Sequence, residues 1–306
     1  MNSGLTLGTR GSPLAMAQAT KVASAIEVAN RWAAGDVAIT AITTSGDRIQ
    51  DRPLADVGGK ALWTKELDRA LAGGDIDLSV HSLKDVETKR PAAIRLVAVR
   101  PRADVRDRII GAESIDALKR GAVVGTSSPR RKAQLLRLRP DLRIVPLRGN
   151  IDTRLGKLAN GDLDAIILAA AGLIRLGKKG IGSPIPVEVM LPAPGQAVIA
   201  VECRADDSAT VAALQLIDDE STHVAINAER AFTAALGGTC HSPIAALATA
   251  EPGKIRLRAQ LLAEDGSDSV TDELQFAPGD DEAPRRLAYA MIDRAPDIIQ
   301  RLFEAG

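Results

Sequence analysis

A pair of joints that recur in the same form narrows the fold more than any other feature. Gly8-Thr9-Arg10-Gly11-Ser12-Pro13 and Gly125-Thr126-Ser127-Ser128-Pro129-Arg130 each follow an apolar stretch and open a helix-patterned one. In both, serine stands at the N-cap, where its side chain can accept an orphan N–H, and proline at the first helical position, where no N–H is needed. Downstream, Gly74-Asp75-Ile76-Asp77 and Gly161-Asp162-Leu163-Asp164 each end a helix pattern and start an apolar strand. The order repeats but the spacing does not, which excludes a solenoid of equal repeats. Two similar α/β lobes are expected, the first carrying an insertion.

Periodicity supports this. Strand patterns at 5–8, 36–43, 76–80, 123–125, 143–146 and 164–168 alternate with helix patterns at 13–32, 64–72, 129–139 and 151–159, an order that argues for mainly parallel sheets. The last third changes character. A helix at 221–236, three strands at 244–250, 254–263 and 270–276, and a closing helix at 283–303 kinked at Pro296 form a small α+β domain. Residues 99–107 and 191–196 (LPAPGQ) are proline- and charge-rich crossings suited to hinges.

Composition removes several functions. The 39 Lys and Arg balance 39 Asp and Glu, so no basic field exists to hold a nucleic acid, and 2% aromatic residues supply few stacking platforms. The two cysteines, Cys203 and Cys240, cannot build a disulfide framework or a four-ligand zinc site, and His81, His223 and His241 lack metal-ligand spacing. No metal site is expected. The N-terminus lacks the pattern of a secretory signal and no apolar run reaches membrane-spanning length, so a cytoplasmic protein without membrane contact is expected. Neither GxxxxGK[ST] nor GxGxxG is present, so a nucleotide has no motif support.

Basic residues gather where the patterns place strand C-termini. Arg10 stands at the first joint, Arg130 and Arg131 at the second, Arg148 and Arg154 around a third helix start, and Arg175 after the strand at 164–168. Helix N-termini at that edge are ready anion sites, and the guanidinium fork matches carboxylate or phosphate, so a polyanionic ligand is expected. His81-Ser82-Leu83-Lys84-Asp85 follows the strand at 76–80, and Asp85 is the one acid read within this basic set. It either caps a turn or serves as a general acid/base. Cys240 lies in Gly237-Gly238-Thr239-Cys240-His241-Ser242-Pro243, whose paired glycines permit positive φ and close backbone approach. That marks it as a covalent attachment site or a nucleophile. Cys203, in an apolar stretch, reads as a core residue.

TRGSPLAMAQA, TSGDRIQDRPLADVGGKALWTKELDRAL, DLSVHSLKDV, GTSSPRRKAQL, LRGNIDTRL, DAIILAAAGLIRLG, LPAPGQ and the loop around Cys240 together resemble the porphobilinogen deaminase (hydroxymethylbilane synthase) family along nearly the whole chain. The resemblance implies two lobes like those of periplasmic binding proteins, namely residues 1–99 with 198–217 and residues 104–193, plus a third domain at 221–306. It implies a dipyrromethane cofactor, made from the substrate and joined to Cys240 through a thioether. Four porphobilinogen units are then condensed head to tail with loss of ammonia, in a monomeric transferase. It further implies cofactor binding by Lys84, Ser128, Arg130, Arg131, Arg148 and Gly172. Substrate binding falls to Arg10, Ser12, Arg148, Arg154 and Arg175, and catalysis to Asp85. A non-catalytic two-lobe protein that binds a small anion is the alternative.

Three places depart from the family's usual pattern. Thr239 replaces a glycine beside the thiol, Ala61-Leu62-Trp63 stands where a Gly-Phe-type element is common, and Ala197 stands where glycine is common.

Overall fold

The computed structural model describes residues 4–48 and 63–303, so Ala61 and Leu62 lie outside the described residues. By density of contact the chain falls into two units, residues 1–103 with 197–223 and residues 104–196 with 224–306.

In the first unit, β1 (Leu5–Arg10), α1 (Pro13–Asn30), β2 (Val37–Ile42), α2 (Ser45–Arg48), α3 (Lys65–Gly73) and β3 (Leu78–Ser82) follow in order. A 3₁₀ turn (Leu83–Asp85) and β4 (Ile94–Val99) complete the outgoing chain. In the second unit come β5 (Asp107–Ile110), β6 (Val123–Gly125), α4 (Pro129–Leu138), β7 (Arg143–Val145), α5 (Ile151–Ala159), β8 (Ala165–Ala169), α6 (Ala170–Arg175) and β9 (Ser183–Pro184). The chain then returns to the first unit through β10 (Ile199–Arg204) and α7 (Ser208–Gln215). The remainder is α8 (Glu220–Ala235), β11 (Ile244–Glu251), β12 (Lys254–Leu262), β13 (Ser269–Phe276), α9 (Ala283–Asp293) and α10 (Asp297–Gln300). The closing helix is broken at Pro296, which becomes the N-cap of its last turn.

The two five-stranded sheets have the same plan, β2-β1-β3-β10-β4 and β7-β6-β8-β5-β9. In each, the first three strands pair in parallel and the last two antiparallel. The parallel half is the part that the strand–helix alternation describes. The antiparallel half is built from strands whose partners are distant in sequence. β5 begins at Asp107, so the crossing read at 99–107 ends inside a strand.

The repeated motifs do equivalent work in both sheets. Gly8 within β1 and Gly125 at the end of β6 leave room, because a Cβ would lie 2.4 Å from Ile76 Cδ1 at Gly8 and 2.8 Å from Leu163 Cδ1 at Gly125. The apolar residue of each Gly-Asp-x-Asp thus packs on the glycine of the joint. The second aspartate of each repeat then clamps the edge: Asp77 Oδ2 accepts Thr6 N–H at 2.8 Å and Asp164 Oδ2 accepts Val123 N–H at 2.7 Å.

Each sheet has its own apolar core. Leu7, Val22, Ile26, Leu78, Val80 and Val201 fill the first, and Ile109, Val124, Leu135, Ile167 and Met190 the second. Cys203 is buried in the first core, as expected, and burial raises its thiol to about 11. The three-stranded antiparallel sheet β11-β12-β13 packs Leu257 and Leu261 on Phe232, Leu287 and Met291. Within the second unit this sheet is joined to the 191–196 segment. Glu229, fully buried on α8, accepts Gly195 N–H at 2.6 Å and Ala248 N–H at 2.7 Å. No helix among the described residues is long and apolar enough to cross a membrane.

Candidate functional site

In the first unit, β1, β2 and β3 run parallel, so their C-terminal ends share one edge. Ser12 caps α1 by accepting Ala15 N–H at 3.3 Å, with Pro13 at the helix start. Gln18 on α1 donates to Ser82 Oγ at 2.9 Å, which ties this joint to the end of β3. Beyond Ser82, Leu83 N–H donates to Val198 O at 3.0 Å, and Val86 N–H closes the turn on Leu83 O. Leu83 and Val86 are buried whereas Lys84 and Asp85 between them are half-buried. Arg10, at the end of β1, has its guanidinium carbon 3.9 Å from the centroid of the Trp63 ring.

The first unit also holds a buried charge network absent from the sequence reading. The Arg90 side chain, 8% exposed, bonds Glu202 through Nε and Nη2 at 2.8 and 2.9 Å, and also pairs with Asp68 and Glu87. His81 lies against Ser79 Oγ at 3.0 Å and Glu202 Oε2 at 3.4 Å. Burial, reinforced by the Arg90 charge, lowers the His81 imidazole to about 4, so it is neutral at pH 7. Among the acids paired with Arg90 only Glu87 is local in the sequence; Asp68 and Glu202 lie 22 and 112 residues from Arg90.

In the second unit, β6, β7 and β8 likewise end on one edge. Ser128 caps α4 by accepting Arg131 N–H at 3.4 Å, and Asn150 caps α5 by accepting Thr153 N–H at 2.8 Å. Arg148 precedes that cap, and Arg154 Nε donates to Gly149 O at 2.8 Å. Arg175 ends α6, a helix where a turn was read, and Gly172 is buried within that helix. Burial lowers the Arg175 guanidinium to about 10, still charged at pH 7.

Arg130 and Arg131 bring a correction. They are 2% and 6% exposed, and both reach Asp107, which is fully buried. Arg130 Nη2 donates to Asp107 Oδ2 at 2.8 Å, while Arg131 donates through Nε and Nη2 at 3.1 and 2.7 Å. Asp85 is therefore not the one acid of the basic set. Burial alone would raise the Asp107 carboxyl, but the Arg131 and Arg130 charges outweigh it and hold the group well below the usual carboxylate range. Three charges leave this cluster at a net +1, and Arg130 Nε is a buried donor with no hydrogen-bond partner among the described residues.

The Cys240 loop joins α8 to β11. Gly237 takes φ 65°, and a Cβ on Gly238 would lie 2.4 Å from Ile244 Cδ1, so one glycine serves the turn and the other the close approach. Thr239 does not have positive φ; its Oγ1 accepts His241 N–H at 3.2 Å and its N–H donates to Ser242 Oγ at 3.1 Å. The threonine thus fits the loop and holds it. Cys240 is exposed. Burial lowers the neighbouring His241 imidazole. No group of three or more potential metal ligands exists among the described residues.

The site residues and sheets define a class: an α/β protein with two five-stranded sheets of one plan, serine-capped strand–helix joints that carry arginines, a half-buried aspartate on the turn after β3, and an exposed thiol on the loop between α8 and β11. Residues 5–212 match the model of "Porphobilinogen deaminase, dipyromethane cofactor binding domain", and residues 223–289 match that of "Porphobilinogen deaminase, C-terminal domain". The chain belongs to the porphobilinogen deaminase family. It is 52% identical over 305 residues to a porphobilinogen deaminase of Sphingopyxis alaskensis, covering 98% of this chain and 96% of the relative. Identity to one of Roseiflexus is 48% over 309 residues, with full coverage of both. Among solved structures, substrate-binding domain 2 of Lactococcus lactis GlnP aligns with TM-score 0.42 and 12% identity over 77% of this chain and 91% of that one.

Proposed function

We propose that this member of an enzyme family of tetrapyrrole synthesis is a transferase that condenses four porphobilinogen molecules on a dipyrromethane carried by Cys240. The observation that carries this reading is the exposed thiol, held in a loop shaped by one positive-φ glycine and one close-packed glycine. When bound, the dipyrromethane supplies the pyrrole end to which new units are joined. The donor set fits a polycarboxylate: Lys84, Ser128, Arg130, Arg131, Arg148 and Gly172 would hold the cofactor, with the buried Arg130 Nε–H as an available donor.

Arg10, Ser12, Arg148, Arg154 and Arg175 would take the acetate and propionate groups of incoming substrate. Asp85, half-buried on its turn, would give a proton to the departing amine, hold the positive charge left on that substrate molecule, and accept a proton after coupling. A carboxylate suits both tasks because it stabilises a cation as an anion and carries a proton as an acid.

We propose three domains, residues 1–99 with 198–217, 104–193 and 221–306; the separate apolar core of each sheet supports this division. We also propose a cytoplasmic monomer that engages no nucleic acid, in keeping with a net charge of zero. Intact mass of the denatured chain, before and after incubation with porphobilinogen and with peptide mapping, tests the reaction. Two pyrrole units on Cys240, growing in single-pyrrole steps, are expected. A chain that stays unmodified overturns the proposal.

A further inference from the structure

Asp85 rides on a segment whose two ends meet on one carboxylate. His81 opens the segment on β3 and Arg90 closes it, and both lie against Glu202 of β10, which is fully buried. His81 Nε2 is 3.4 Å from Glu202 Oε2, while Arg90 donates to Glu202 Oε1 at 2.8 Å and to Oε2 at 2.9 Å. The same guanidinium forms a second fork with Asp68 on α3, through Nη1 at 3.1 Å and through Nη2. It also donates to Glu87 Oε2 at 3.1 Å. That oxygen takes a further bond, at 3.0 Å, from Thr64 Oγ1 at the start of α3. Glu87, two residues beyond Asp85, is thus moored to two groups at once. On the entry side, Leu83 N–H donates to Val198 O at 3.0 Å, and Val86 N–H closes the turn on Leu83 O at 3.0 Å.

We propose that Arg90 is a positioning residue for Asp85, acting through Glu87 to fix the turn that carries this carboxylate. This rests on the reading of Asp85 as the catalytic acid. A proton donor must stand within hydrogen-bond reach of the group it serves, so a displacement of about 1 Å can cost on the order of 10²-fold in rate. Here three carboxylates, from α3, from the exit of the turn and from β10, converge on one planar cation. The Arg90 side chain is 8% exposed, so water is largely kept from these bonds. A guanidinium can form two forks and still reach a third acid, whereas lysine offers a single point of donation. Glu87 differs from the other two acids. Its side chain is 26% exposed, so it can be removed without stranding a buried charge, and Arg90 then keeps Asp68 and Glu202.

The test uses the full chain loaded with dipyrromethane, verified by intact mass, and carrying Glu87→Ala, Glu87→Gln, Arg90→Lys, or Arg90→Lys with Glu87→Ala. Steady-state kinetics with porphobilinogen are read beside hydrogen exchange by mass spectrometry in peptides spanning 83–90. Glu87→Ala is expected to lower kcat about fivefold and Arg90→Lys about tenfold, each with KM changed less than about twofold, since the arginines read as substrate-binding are untouched. Exchange in these peptides should quicken in both, while the denaturation midpoint of Glu87→Ala stays near that of the wild type. Glu87→Gln keeps an oxygen acceptor and should recover most of the rate and of the protection. The double variant should be no slower than Arg90→Lys. If Arg90→Lys does not fold, the two Glu87 variants decide. Wild-type kcat in Glu87→Ala, a rate loss without faster exchange, a rise in KM matching the fall in kcat, a glutamine as damaging as alanine, or losses that multiply in the double variant would each overturn the proposal. An Asp85→Asn enzyme that turns over like the wild type would instead overturn the catalytic reading beneath it.

Discussion

Asp107 stands between two buried guanidinium groups, so its removal leaves charge with no counter-ion in a place where water cannot supply one. Asp107→Ala is expected to cost about 3–5 kcal/mol, the range for breaking one partner out of a buried pair, measured by urea denaturation. A loss within the range of surface substitutions would mean that the arginines find other acceptors. Ala197 presents the opposite case. It holds φ 73°, a left-handed conformation that strains a residue with a Cβ. Ala197→Gly should therefore stabilise the chain by about 1 kcal/mol, the strain relief being partly offset by the added freedom of the unfolded glycine. A lower denaturation midpoint would refute this. The sequence showed Arg130, Arg131 and Ala197 at their positions and flagged the alanine as unusual. It could not show Asp107 as their partner, since the pairing spans 23 residues to Arg130 and depends on an antiparallel strand with no local turn signal.

Helix starts were the most legible elements, because a serine cap and a proline at the first turn act locally. Ser12 and Ser128 both accept N–H groups of their first turns as the joints imply. The strands β4, β5, β9 and β10 were not legible, since what makes each a strand is a neighbour remote in sequence. The repeated Gly-Asp-x-Asp was legible as a repeat but not as a clamp. The hydrogen bonds of Asp77 and Asp164 to the adjoining strands explain why its second aspartate recurs. The Ser128 cap offers a test that separates folding from binding. Ser128→Ala should cost about 1 kcal/mol of stability, while Ser128→Asp keeps the cap and costs little. If Ser128 borders the carboxylates of the cofactor, the aspartate variant should nevertheless load less dipyrromethane than the alanine variant, because its charge repels them. Equal loading by both variants, read from intact mass, would remove Ser128 from the cofactor site.

At the scale of the whole chain, the two units carry buried titratable groups that respond to acid over different ranges. In the first unit, the folded chain keeps His81 neutral down to about 4, against an ordinary value of 6.5. The unfolded chain therefore takes up a proton that the folded one refuses, and stability falls as pH drops from 6.5 to about 4, by on the order of 3 kcal/mol for this group. In the second unit, Asp107 stays ionised well below the ordinary carboxylate value of 3.8, so its contribution is intact above that pH and is lost only as acid deepens further. Acidification should accordingly weaken the sheet around His81 before the sheet around Asp107. Hydrogen exchange read by mass spectrometry at pH 4.5 and pH 7, corrected for intrinsic rates, should show protection falling in β1, β3 and β10 while β6 and β8 keep theirs. His81→Gln, which cannot take up the proton, should flatten the decline across this range. Equal loss in both units, or an unchanged decline in the His81 variant, would show that acid sensitivity resides elsewhere.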